Sequence, residues 1–194
     1  MFTKKNGIAV LFLYLLQFTI ACDPCDCPTP STYERTYNDV LVKAWDTSGF
    51  QTKEVDGKVN KNAFGLTISV EFELEKIAHH KTHNSFGFGS AIACSCSSDK
   101  YINVDPIVSI EILVTNRDTN EINTVTDLFK TNGYYNDKPI TLTELFKNKE
   151  EWRDGFQLDL VAYETIPDNS IFTVKAFLKS GIMLSKQTKE INFY

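Results

Sequence analysis

The amino-acid sequence predicts a mainly β protein, an antiparallel β-sandwich of immunoglobulin-like or prealbumin-like type with one or two short helices. Three observations carry this expectation. From Leu66 to Glu75, apolar and polar residues alternate without error, the period of a strand with one face in a core and the other in water. The alternation returns from Val108 to Thr115 and from Phe156 to Tyr163. Turn signals at near-regular spacing separate such runs, giving roughly seven to nine short strands, which suits a sandwich rather than an alternation of strand and helix.

Taken in order, the chain opens with Lys4, Lys5 and an apolar run from Ile8 to Ile20 broken only by Gln17. This is the build of an export signal. The run is shorter than the about 20 residues that a membrane-spanning helix needs. Thr19-Ile-Ala21-Cys22 resembles the lipobox of bacterial lipoproteins, in which a small residue precedes a cysteine that is acylated and becomes residue one. Thr19 stands where leucine is usual, and Thr-x-Ala also fits ordinary signal peptidase. Residues 1–21 are expected to be a lipoprotein signal peptide, residues 22–36 a tether with a cysteine cluster, and residues 37–194 a single sandwich domain.

Cysteine parity favours lipid at Cys22. The chain has five cysteines, an odd number for an exported protein. Assigning Cys22 to lipid leaves an even set, Cys25, Cys27, Cys94 and Cys96, expected to form disulfides in an oxidising compartment, with the pairing open. Zinc is the rival reading, but its ligands are usually spaced C-x(2 to 4)-C rather than C-x-C.

Beyond the tether, Val40 to Trp45 reads as a strand with Val40, Val42 and Ala44 on one side and Trp45 on the other. Asp56-Gly57 suits a hairpin turn. In the strand at Leu66 to Lys76, Leu66, Ile68, Val70, Phe72 and Leu74 share the core face. Ala78 to Ser85 is a polar loop with all three histidines, and Phe86 to Cys96 is a small-residue strand whose Gly87 and Gly89 suit a bulge or close backbone approach. Val108, Ile110, Ile112 and Val114 are expected inward, followed by a polar turn at Asn116 to Asn120. Val125 to Lys130 suits one helical turn. Thr141-Leu-Thr-Glu144 has capping-box spacing and opens a helix over Leu142 to Trp152. Phe156, Leu158, Leu160 and Ala162 share one strand face, and Pro167-Asp-Asn169 makes a turn. Phe172 to Leu178 and Ile182 to Gln187 form a hairpin about Lys179-Ser-Gly181, and Ile191 and Phe193 close the domain.

The chain carries 20 basic and 25 acidic residues, and loss of residues 1–21 with Lys4 and Lys5 leaves 18 basic, a net charge of −7. An acidic chain without a basic cluster argues against nucleic acid as a partner. It offers no polybasic route to an anionic membrane, so the lipid would be the sole anchor.

The second half of the chain carries a likeness. Ala93 to Cys96, Ser109 to Asp118, Asp127 to Phe129, Thr141 to Phe146 and Phe172 to Val174 resemble segments of a family of Bacteroidetes lipoproteins whose domain has no assigned function. The resemblance covers Phe86 to Tyr194 and, more generally, the lipoprotein start. It implies anchoring in the outer membrane and a sandwich fold, and supplies no catalytic residue. Asp23 directly after Cys22 would favour inner-membrane retention in some bacteria.

Candidate chemistry is sparse. Ser97-Ser-Asp-Lys100, Tyr134-Tyr-Asn136 and Lys179-Ser-Gly181 match the S-x-x-K, Y-x-N and K-[ST]-G elements of serine penicillin-binding enzymes, but Ser97 follows a strand instead of opening a buried helix. His79, His80 and His83 form H-H-x-x-H, with His80 where zinc peptidases need glutamate. Asn116 to Glu121 offers oxygens but lacks the glycine and spacing of a calcium loop. No catalytic residue, metal or cofactor is expected. Tyr134, Tyr135, Asn136 and Asp137 are candidate ligand-binding residues, because aromatic faces supply area for a sugar ring and amide or carboxylate groups bind its hydroxyls. Trp45 and Trp152 would extend that platform, while tyrosines covering a sheet edge are the plainer reading. The expected function is a lipid-anchored cell-envelope protein with a non-enzymatic binding or assembly role, its partners envelope proteins or glycans. The alternative is a carbohydrate-binding surface lipoprotein engaged in glycan capture.

Overall fold

Strands form where the sequence alternates, and often run further. The computed structural model describes residues 29–79, 98–132, 138–147 and 155–194. β1 (Ser31–Asp46), β2 (Lys53–Glu54) and β3 (Lys58–Val59) precede the long β4 (Phe64–His79). β5 (Lys100–Asn103), β6 (Ile107–Asn116), β7 (Ile122–Thr124), β8 (Phe129–Asn132) and β9 (Pro139–Thr141) lead to the helix α1 (Leu142–Lys147). β10 (Gly155–Leu160), β11 (Asn169–Leu178), β12 (Met183–Gln187) and β13 (Ile191–Phe193) complete the set. The protein is mainly β, as expected. One sheet has the order β2-β1-β4-β10-β8-β9 with β5 also on β1, and the other β3-β13-β11-β6-β7 with β12 also on β11. Pairing is antiparallel along β6, β11 and β12, whereas β13 and β3 run parallel. The two sheets make a sandwich.

The chain divides into two compact units, with boundaries at Tyr33/Glu34, Glu75/Lys76 and Ile102/Asn103. In the smaller, the Ser31 N–H donates to Asp99 Oδ1 at 2.8 Å and Tyr33 stacks on Tyr101 at 5.6 Å. The Lys76 ammonium lies 5.9 Å from the Tyr33 ring centre.

The larger unit holds the core. Leu66 and Ile68 of β4, Leu158 of β10, Ile112 and Val114 of β6 and Val174 of β11 are buried almost completely. Four phenylalanines tie the sheets together. Phe64 stacks on Phe172 at 5.0 Å and meets Phe193 edge-on at 5.1 Å, while Phe129 meets Phe172 edge-on at 5.8 Å. Such pairs add about 0.5–1.5 kcal/mol each beyond the area they bury. Lys61 fastens the rim, its ammonium bonding the Ile166 carbonyl and Asp168 Oδ1, both at 2.6 Å.

Several expectations are corrected. β1 begins at Ser31, inside the stretch read as tether, because its threonine and tyrosine residues suit a strand without an apolar period. Val108 is not inward: it is 49% exposed, and Ile107 is buried instead. The pairing passes from Phe177↔Ser109 to Leu178↔Ile107, which leaves Val108 as the extra residue of a β-bulge. Leu74 is 46% exposed, since β4 continues past the covered part of its inner face. Asp56-Gly57 turns the chain, with Gly57 at φ 88°, but joins strands of different sheets rather than making a hairpin. β10 stops at Leu160, short of Ala162, and β11 already starts at Asn169, inside the expected turn. The hairpin about Lys179-Ser-Gly181 is present as expected, with Gly181 at φ 92°. The capping box is present too: Thr141 N–H donates to Glu144 Oε2 at 3.0 Å, and Glu144 N–H to Thr141 Oγ1 at 3.2 Å. Of the helix expected to Trp152, the described part is α1.

Candidate functional site

The most site-like surface in the larger unit is the outer face of the first sheet. Leu66, Ile68, Leu158 and Leu160 face the core, so the intervening Gly65, Thr67, Gln157 and Asp159 face outward. Register aligns them. The Thr47 N–H donates to the Ala63 carbonyl at 2.8 Å, which sets Trp45 of β1 beside Gly65 of β4. Gly65 pairs with Asp159, Thr67 with Gln157, and Asp159 with Lys130. On the far side Trp45 pairs with Glu54. A row therefore crosses the sheet from Glu54 through Trp45, Gly65 and Asp159 to Lys130.

Each member has a physical reason for its place. The Trp45 indole N–H donates to Thr67 Oγ1 at 2.6 Å, which holds the ring along the outer face. A Cβ at Gly65 would lie 2.8 Å from the Leu158 carbonyl oxygen and 3.3 Å from Asp159 Oδ1. Only glycine fits so close an approach of β10. Gly65 is itself buried, with Asp159 Oδ1 lying against it. Asp159 is half-buried, and burial holds its carboxyl above the usual aspartate range. Among the described residues its carboxylate has neither a hydrogen-bond donor nor an ion pair. Lys130, its neighbour in the row, lies close enough to Glu144 to help depress that carboxyl, whose main support is the Thr141 backbone N–H.

A held indole beside acceptor groups at Asp159 and Gln157 suits a small polar ligand with one apolar face. Among the described residues no three His, Cys, Asp or Glu side chains stand close enough to hold a metal ion. A second depression, about 270 Å³, lies between β6 and α1 and is lined by Val108, Ile110, Phe146 and Lys147 among others. It is open to solvent, and its lining is half polar, with Ser109, Thr143 and Lys147 beside the apolar residues.

Of the residues singled out from sequence, Cys22, Cys25, Cys27, Cys94, Cys96, Tyr134, Tyr135, Asn136 and Asp137 lie outside the described residues. Ser97, His80, His83 and Trp152 do so as well. Trp45 does stand on a surface, beside polar partners that the sequence did not single out. Lys179-Ser-Gly181 is a tight turn pinned by Asp105, whose carboxylate accepts from the Ser180 N–H at 2.8 Å and from its hydroxyl at 2.5 Å. The segment from Asn116 to Asn120 is the polar β6–β7 turn: Asn116 Oδ1 accepts from the Asp118 N–H, and Asp118 accepts from the Asn169 amide. Gly65 and Asp159 escaped sequence reading because a polar residue at every second strand position is ordinary. The one available signal was a glycine directly before the strict alternation.

A family model described as a domain of unknown function, DUF5034, matches residues 37–177. No curated protein and no solved structure matches the chain.

Proposed function

The chain belongs to the DUF5034 family, and from that premise we propose that it is a lipid-anchored cell-envelope protein whose sandwich has a non-enzymatic binding or assembly role. The observation that carries this reading is the N-terminal sequence: Lys4 and Lys5, the apolar run to Ile20, and Ala21-Cys22. No helix of the described residues is long and apolar enough to cross a membrane; the attachment in this reading is a lipid on Cys22. Cys25, Cys27, Cys94 and Cys96 are then the disulfide formers of the exported chain, and the outer membrane is its location.

Detergent phase partitioning tests the anchor. The native chain goes with the detergent phase and Cys22→Ala moves to the aqueous phase; unchanged partitioning would sink the proposal. Non-reducing mass spectrometry of the same lipidated sample finds no free thiol if the four remaining cysteines are paired.

A second reading, glycan capture at the cell surface, is favoured by Trp45 lying on an outer sheet face among Thr67, Gln157 and Asp159. Tyr134, Tyr135, Asn136 and Asp137 remain its other candidate contacts. Glycan-array binding by the full chain in detergent tests it.

A further inference from the structure

We infer that two copies of the chain pair through the open edge of β12, antiparallel about a two-fold axis at Ser185, so that their second sheets join into one. This gives the assembly role a surface and does not depend on the lipid. The backbone of β12 carries the argument. The Leu178 N–H donates to the Ile182 carbonyl at 2.8 Å, and the Thr188 N–H to the Phe172 carbonyl at 2.9 Å. Between these two bonds the register with β11 runs without a shift, so Leu184 and Lys186 also exchange their backbone bonds with β11. Met183, Ser185 and Gln187 alternate with them and aim their N–H and carbonyl groups the other way. Among the described residues no strand pairs with β12 on that side. Such a row of unpaired groups is a template for another strand.

The outer strands β2, β3, β7 and β9 are guarded by their brevity, with two or three residues each, whereas β12 has five. It has neither bulge nor proline, and Ile182 and Met183 are exposed. Its one charge is Lys186, and an inward-pointing charge at an edge commonly keeps other strands away. Here the Lys186 ammonium donates to Asp39 Oδ2 of β1 at 3.0 Å, so the guard is neutralised within its own protomer. Self-complementarity then selects a second copy over an unrelated strand. About Ser185, Met183 falls opposite the partner's Gln187, Leu184 opposite the partner's Lys186, and Ser185 opposite its counterpart. No like charges stand directly opposite, and the residue at the axis is small. The stem of Lys186 covers the half-buried Leu184 of the partner subunit. Three facing pairs that each exchange two bonds give about six hydrogen bonds. The interface is isologous and closes at two copies.

Sedimentation velocity of the full chain in detergent tests the pairing, with detergent partitioning of the same sample read beside it. The native chain is expected to sediment as a dimer at micromolar concentration. Ser185→Pro removes an outward N–H that β11 does not use, so it spares the fold and blocks the edge. It is expected to weaken the dimer at least about tenfold, the scale of the lost hydrogen bonds, with circular dichroism unchanged. If Ser185→Pro fails to fold, Ser185→Cys decides. Facing residues of a hydrogen-bonded pair lie about 5.5 Å apart, within reach of a disulfide, so non-reducing electrophoresis is expected to show a covalent dimer absent from the native chain. A native monomer, an assembly larger than two, a folded Ser185→Pro dimer of native strength, or a Ser185→Cys chain that stays uncrosslinked overturns the pairing. A native monomer that still enters the detergent phase does so while leaving the anchor standing.

Discussion

Asp159 shows how one residue couples local packing to solution behaviour. Burial raises its folded-state pKa above the unfolded value, so the folded chain holds the proton more tightly. Its ionisation therefore costs stability, and the cost grows as pH rises from the ordinary aspartate pKa through the raised one. Asp159→Asn has no such dependence. Thermal melts should show the variant more stable than the native chain near neutral pH, with the gap closing as the solution is acidified below the usual aspartate range. A gap that widened on acidification would mean that the carboxylate is stabilised by a partner. Nothing in the sequence around Asp159 announced this, because its environment is made by Gly65, which lies far away in the chain and beside it in the sheet.

Strands were the most legible elements, and their irregularities the least. The alternation at Leu66 to Val70 reports which side faces the core, because each residue contributes independently to that pattern. A bulge inserts one residue and shifts all positions on one side of it, and in β6 Ile107 and Val108 are both apolar and β-branched. Composition cannot choose between them; only the pairing with β11 does. Ile107→Ala should cost about 2 kcal/mol or more in chemical unfolding, whereas Val108→Ser should stay within about 0.5 kcal/mol. Equal costs would remove the bulge. The capping box was legible for the opposite reason: Thr141 and Glu144 satisfy each other locally, so spacing alone specifies the geometry. The glycine turns divided along the same line. Gly57 and Gly181 both adopt positive φ, which sequence anticipates, but whether the flanking strands pair with each other is a property of the whole sheet.

At the level of the molecule, the class of fold was legible and the sheet order was not, since the alternation gives a strand its faces without giving it neighbours. The four-phenylalanine cluster is where the two sheets become one cooperative core. Phe172 touches Phe64 and Phe129 from the first sheet and Phe193 from its own. Phe172→Ala should lower stability by about 3–5 kcal/mol and leave a single unfolding transition by both fluorescence and circular dichroism. Two separated transitions would show that the sheets melt independently. The candidate site lay beyond reach for a related reason. Trp45, Gly65, Asp159 and Lys130 come from four strands, and each is unremarkable until the register brings them abreast.

The parallel pairing of β13 with β3 has a kinetic consequence. The Asn192 amide donates to the Gly57 carbonyl across 135 positions of sequence, and β13 follows every other described strand. β3 therefore has no partner in the second sheet until β13 has been synthesised. Contacts so distant in sequence form slowly, and a ribosome adds only about 5–20 residues per second. β13 is thus the last described strand to find its place, and its loss would leave β3 unpaired in the second sheet.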